Sequence, residues 1–221
     1  MFIGHFALAL GAKRAAPQLS LGTLVAACQL ADLVWPVLVL LGIESFEIHP
    51  GITAVTPLDF TRYPYSHSLV ALALWALAFA LTWLFARGSG ARAALVLAAL
   101  VLSHWVLDVV SHRPDMPITI DGSARVGLGL WNSLAATLAV ETILFGTGVV
   151  IYARTTSPRD RIGHWGLVAF AGFLFAIYLA NLFGPPPPDT NAVAWSAIAM
   201  WLLVAWAWWL DAHRQSRVVP R

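Results

Sequence analysis

Ser103-His104-Trp105-Val106-Leu107-Asp108-Val109-Val110-Ser111-His112 closes an apolar run that begins at residue 91. The spacing is His-x3-Asp-x3-His. At about 100° per residue the second and third of these side chains fall about 40° and about 80° round from the first, so one helical face carries all three. An imidazole, a carboxylate and another imidazole stacked one turn apart suit a hard-to-borderline dication. In hydrocarbon a lone Asp costs about 2.5 to 3.5 kcal/mol on insertion scales, so Asp108 demands a partner. The competing reading is a polar seam lining a helix interface or a water cavity.

The surrounding composition decides the class. Of 221 residues, 59% are hydrophobic and only 11% charged, against roughly 25% charged in a soluble domain. The expectation is an all-α, polytopic membrane helix bundle. The formal net charge is +2, and the basic residues sit in loops rather than along one face, so no stripe for nucleic acid is present. The one cysteine, Cys28, lies inside an apolar run, permits no intrachain disulfide, and reads as a small core residue.

A spanning helix needs about 20 residues. Runs at 20–43, 66–85, 91–112, 126–153, 162–183 and 191–210 meet this, giving six spans. Residues 1–12 are apolar but too short to cross, and Lys13 and Arg14 follow them rather than precede them, unlike a secretory signal; they read as a retained half-helix. The longer connections, 44–65 and 113–125, carry Pro, Gly and Asp and read as structured loops. The whole chain, 1–221, is expected to be one integral membrane domain, with a metal-site half at 1–113 and additional spans at 114–221.

Counting Lys and Arg on alternate sides places Lys13, Arg14, Arg87, Arg92, Arg154, Arg159, Arg161, Arg214, Arg217 and Arg221 on one side and Arg62, Arg113 and Arg125 on the other. This asymmetry makes the first side cytoplasmic, with both termini inside. With about 1.5 Å of rise per residue, Asp32 and His104 both lie about 20 Å from the cytoplasmic ends of their spans, and Glu141 comes to the same level. His5 sits about 12 Å above Lys13 if the half-helix points its N-terminus into the membrane. His67 and His112 rim the same volume from the outer side, and Asp108 lies between the two levels. Each also has a structural alternative: Asp32 paired with a local donor, His5 snorkelling to an interface, His67 in a helix-cap environment, Glu141 holding another helix.

The order His5, Asp32, Tyr65-Ser66-His67-Ser68, His104-x3-Asp108 resembles that of the bacterial inner-membrane metal-dependent hydrolases, including the LexA-regulated type, and more distantly the zinc-dependent phospholipase C superfamily. The resemblance covers residues 1–113. It implies that Asp32, His67, His104 and Asp108 hold one metal and that Asp108 bridges to a second metal near His5. The soluble enzymes continue with another His and a later His-x3-Glu; this chain offers His112 and Glu141, and no His stands four residues before Glu141.

The expected activity is hydrolysis of a phosphoester in a membrane lipid or amphiphile by metal-activated water, with one or two divalent ions, most simply zinc. Asp32 or Glu141, left partly free, would act as general base. The expected location is a bacterial inner membrane. Two alternatives stay open: a metal-ion or proton transporter using the same intramembrane His and Asp residues, and a membrane protein whose metal is only structural. No Walker loop, CxxCH or dinucleotide fingerprint is present.

Overall fold

Apolar runs long enough to cross a bilayer satisfy their own backbone only as helices, and this governs the chain. The computed structural model describes residues 1–87 and 90–217; Arg221 and the side chain of Arg87, both used in the charge count, lie outside the described residues. Among the described residues, five helical segments are long and apolar enough to span. They are α5 (Leu69–Arg87), α6 (Ala91–Ser111), α7 (Leu134–Thr155), α8 (Arg161–Phe183), and the successive helices α9 (Thr190–Ile198) and α10 (Met200–Ala212) taken as one. The molecule is an all-α bundle of membrane-spanning character. A short first helix, α1 (Ile3–Ala12), packs inside it, as a half-helix should.

The first expected span differs from the expectation. Residues 20–43 fold as α2 (Leu21–Cys28) and α3 (Leu30–Leu40), bent by 56°. The break falls at Gln29, whose φ of −97° and ψ of 8° leave the helical region. It releases the Cys28 carbonyl, which accepts a hydrogen bond from His104 Nδ1 at 2.8 Å instead of from its own helix. The fourth run also starts later than its hydropathy suggests. Arg125 and Val126 pair as a short strand with Met116 and Pro117, Gly129 turns at φ +73°, and Ser133 then caps α7 by accepting from the Ala136 N–H.

The connections at one end of the bundle are ordered by short strands. β1 (Ser45–Ile48) and β2 (Leu58–Arg62) form an antiparallel hairpin with a bulge after Ser45. It leads into a one-turn helix, α4 (Pro64–His67). Trp35, Phe46, Tyr63 and Met116 form a small apolar cluster beneath this cap. Arg62, Arg113 and Arg125 belong to this end: Arg113 pairs with Asp59 and Asp115, and Arg125 donates to the Thr61 carbonyl. The opposite end carries most of the basic residues. There Lys13 pairs with Asp211 at 2.7 Å, and residues 156–158 pair with 214–216 as a third strand pair. The two ends of the bundle are thus chemically distinct.

Between the ends, α1 is enclosed by α2, α6 and α7. Its contact with α7 is close enough that a Cβ at Gly148 would stand 2.4 Å from the Ala7 carbonyl oxygen. Small residues permit such backbone approach in bilayer proteins. Phe6, Leu10, Leu24, Leu97 and Val101, all fully buried or nearly so, fill the space between His5 and the basic end.

Candidate metal centre

Helix α6 provides the frame. His104 and Asp108 share one face, with His104 Nε2 3.1 Å from Asp108 Oδ2, as the one-turn spacing requires. Helix α1 brings His5 from the side: its Nε2 lies 3.0 Å from Asp108 Oδ1, and its ring stacks on that of His104 at 3.8 Å between centroids. Asp108 Oδ1 also takes the Met1 amine at 2.5 Å. From the first turn of α3, just past the break, Asp32 Oδ1 approaches His67 Nε2 to 3.4 Å and His104 Nε2 to 3.7 Å. His67, at the end of α4, also faces Asp108 Oδ2 at 3.9 Å.

Two overlapping groups result, His5 with His104 and Asp108, and Asp32 with His67 and His104. Within each, the ligand atoms lie within 4.8 Å of one another, and His104 belongs to both. Five of the residues expected from sequence are thereby brought together.

The hydrogen bonds around the rings decide whether this donor set suits a cation. A neutral imidazole carries one N–H and one lone pair, and the partner of one nitrogen fixes the state of the other. His104 Nδ1 faces the Cys28 carbonyl, which can only accept, so Nδ1 carries a hydrogen, and in the neutral ring Nε2 is the lone pair. His67 Nδ1 lies 2.7 Å from Ser66 Oγ, whose own hydrogen is directed at Glu44 Oε2 at 2.6 Å. Nδ1 of His67 is therefore also the donor, and in the neutral ring its Nε2 is the lone pair. Two bare nitrogens then converge on the carboxylates of Asp32 and Asp108. With both rings neutral these acceptors repel, a repulsion that a bound cation or a further ring proton relieves; the Met1 ammonium answers only Asp108 Oδ1, and His104 Nε2 is buried with no hydrogen-bond partner. The residues fit a divalent ion.

Burial is uneven in a useful way. The side chains of His5, His67, His104 and Asp108 are almost completely enclosed, whereas that of Asp32 is 28% exposed. The centre is accordingly closed on the α1 and α6 sides and open at Asp32.

Two expected residues go elsewhere. His112 lies just beyond α6, where its Nδ1 donates to Asp115 at 2.9 Å and its ring packs on Phe60 and Trp131; it joins neither group. Burial holds its imidazole below the usual range, only partly offset by the bond to Asp115. Asp115 is pushed up by its own burial, but the hydrogen bonds and charges of His112 and Arg113 outweigh this and keep its carboxyl below the ordinary range. Glu141 is buried and accepts from the Gly4 N–H at 3.2 Å, serving a buried donor in the first turn of α1 that has no partner within the helix. It is committed to that helix end rather than left free as a base.

Glu44 is not marked by the sequence, and Ser66 is marked only as part of Tyr65-Ser66-His67-Ser68. Glu44 is only 2% exposed although it stands in a loop ahead of β1. Its Oε1 accepts from the Tyr65 and Ser66 amides at 2.7 and 2.9 Å. The one sequence signal is the hydroxyl residue adjoining a candidate ligand histidine. Next to this segment, at the strand-capped end, a cleft of about 740 Å³ is lined by Arg62, Tyr63, Tyr65, Ile120, Asp121 and Arg125 among others. The Tyr63 ring lies 5.3 Å from that of His67. Compared with protein-family models, with curated proteins and with solved structures, the chain matches none.

Proposed function

We propose that this protein is a membrane-embedded, metal-dependent hydrolase acting on a phosphoester of a lipid or lipid-like amphiphile, with zinc held by Asp32, His67, His104 and Asp108 and with His5 beside Asp108. One observation carries the reading: both His67 and His104 spend Nδ1 on an acceptor, so that their Nε2 lone pairs meet two carboxylates in a buried space. A zinc ion bound there would supply a water acidified towards a pKa of about 7 and positive charge against phosphoryl oxygens. Asp32 is the ligand-forming carboxylate that remains partly open, so it is the group of this chain suited to take the proton of an entering water. The guanidinium groups of Arg62 and Arg125 in the neighbouring cleft suit an anionic headgroup. The resemblance to the inner-membrane metal-dependent hydrolases points the same way, and with the charge asymmetry it gives a bacterial inner membrane with both termini cytoplasmic.

Transport of a metal ion or proton along the same residues is disfavoured by the apolar packing of Phe6, Leu10, Leu24, Leu97 and Val101 on the basic side of His5. A conducting path needs polar or hydrated lining from both faces.

The test is metal analysis of the purified protein followed by hydrolysis assays on phospholipids and lipid phosphates, run beside ion-flux assays in proteoliposomes. Bound zinc with hydrolysis that a chelator abolishes is expected. Flux without hydrolysis would replace the reading by transport, and stoichiometric zinc with neither activity would leave a structural metal.

A further inference from the structure

We infer that Glu44 is a positioning residue of this centre: acting through the Ser66 hydroxyl, it fixes His67 with Nε2 unprotonated and aimed at Asp32, so that a loop outside the helix bundle sets the affinity for metal. The inference rests on the metal-dependent reading above and adds to it the group that makes His67 a competent ligand.

The argument begins with what a serine hydroxyl can do. It has one hydrogen and two lone pairs, and it rotates to suit its neighbours. Between an imidazole nitrogen and a second group, it can therefore present either a donor or an acceptor to the ring. An ionised carboxylate only accepts, so Glu44 Oε2, 2.6 Å away, draws the Ser66 hydrogen towards itself. What remains for His67 Nδ1, 2.7 Å from Oγ, is a lone pair. The ring must then carry its hydrogen on Nδ1, and Nε2 faces Asp32 at 3.4 Å as a lone pair.

His104 needs no such relay, because the carbonyl of Cys28 is an acceptor in any state. His67 is different. If the group behind Ser66 were a donor, the hydroxyl would turn, donate to Nδ1, and push the imidazole hydrogen onto Nε2, where the ion must sit.

Glu44 performs two separable tasks with its two oxygens. Oε1 holds the Tyr65 and Ser66 amides at the start of α4, which is a structural service. Oε2 engages only the hydroxyl among these donors, which is the relay. Ser66→Ala removes the relay and leaves both amide bonds in place. Glu44→Gln keeps shape and offers an NH2 donor to Ser66, which is the wrong polarity. Ser66→Thr keeps the hydroxyl. Partners that orient ligand histidines in metal sites are commonly worth about 10- to 100-fold in affinity.

The experiment measures zinc affinity of the full-length protein in detergent by competition with a chromophoric chelator, with melting of the metal-free protein alongside. Glu44→Gln and Ser66→Ala are expected to bind zinc about 10- to 100-fold more weakly, Ser66→Thr like the wild type, and metal-free Ser66→Ala to melt with the parent. Nitrogen-15 shifts of His67 in the metal-free protein should report hydrogen on Nδ1 in the parent and on Nε2 in Glu44→Gln. Loss of affinity in Glu44→Gln with none in Ser66→Ala would reduce Glu44 to a helix cap and overturn the relay. Unchanged affinity in both would do the same while leaving the metal centre standing. A wild-type protein that binds no zinc would overturn the centre and the relay together.

Discussion

The rings of His5 and His104 lie face to face, 3.8 Å between centroids and 3° from parallel. Both turn Nε2 towards Asp108, to opposite oxygens of the same carboxylate. Asp108 is thus the hub on which α1 and α6 meet, and it is enclosed with them. Removing a charge from such a buried, multiply bonded position typically costs about 3 to 5 kcal/mol.

Asp108→Asn, which keeps shape and loses charge, is expected to lower bound zinc severalfold and to lower the melting temperature in the presence of metal. Binding to the folded protein alone stabilises it, so chelation should depress melting of the parent and leave the variant almost unmoved. His49→Ala, at an exposed pair with Glu47, should change neither quantity. Full zinc content with unaltered melting in Asp108→Asn would reduce the His-x3-Asp helix to a polar seam.

The seat of His5 depends on Gly148. Its missing Cβ would stand 2.4 Å from the oxygen and 2.7 Å from the Cα of Ala7, both backbone atoms that cannot step aside. Gly148→Ala is expected to destabilise by about 1 to 3 kcal/mol and to weaken zinc binding by displacing α1. Gly146→Ala, in open space on the same helix, is the control. Equal melting and affinity in the two variants would show that α1 is not seated by this contact.

Acidification should loosen the strand-capped end. Folding lowers the proton affinity of both His112 and Asp115, so each contributes stability that is present above its unfolded pKa and is lost as pH falls through the folded one. His112 acts first, beginning below about pH 6.5, and Asp115 only below about 3.9. Melting temperature should therefore fall between pH 7.5 and 5.5, and His112→Gln should flatten that slope. A slope that survives the substitution would assign it to other groups.

Arg62 is exposed at the rim of the cleft beside His67. With an anionic lipid as substrate, Arg62→Ala is expected to raise KM about tenfold with kcat nearly unchanged, since a charge-assisted contact made equally in ground and transition states is lost. A fall in kcat at constant KM would place Arg62 at the reacting phosphoryl group instead.

How legible the centre was depends on which force held each residue. His104 and Asp108 were readable because helical periodicity alone puts them on one face. Asp32 was readable because it shares a depth with His104 in an apolar bundle, where ionisable groups must find each other, and His5 and His67 because they border the same volume. His112 obeyed the same periodicity but was diverted by Asp115, three residues on and beyond the helix end, a competition no hydropathy pattern records. Glu141 was at the right depth, yet the unsatisfied amides at the start of α1 claimed it. The 56° break at Gln29 falls inside a run whose hydropathy is that of a single span, and the carbonyl it frees is taken by His104, 76 residues on. Glu44 escaped notice for the same reason, its partners being 21 and 22 residues away across a hairpin.

The half-helix also sets a clock on biosynthesis. A helix of 10 residues, about 15 Å long, cannot cross the bilayer, and the partners that enclose it, Asp108 and Gly148, are made more than a hundred residues after His5. Until α6 and α7 have been made, α1 has only α2 to pack against. The packing around His5 is therefore completed only after both later helices have been made, His104 and Asp108 coming with α6 and Gly148 with α7.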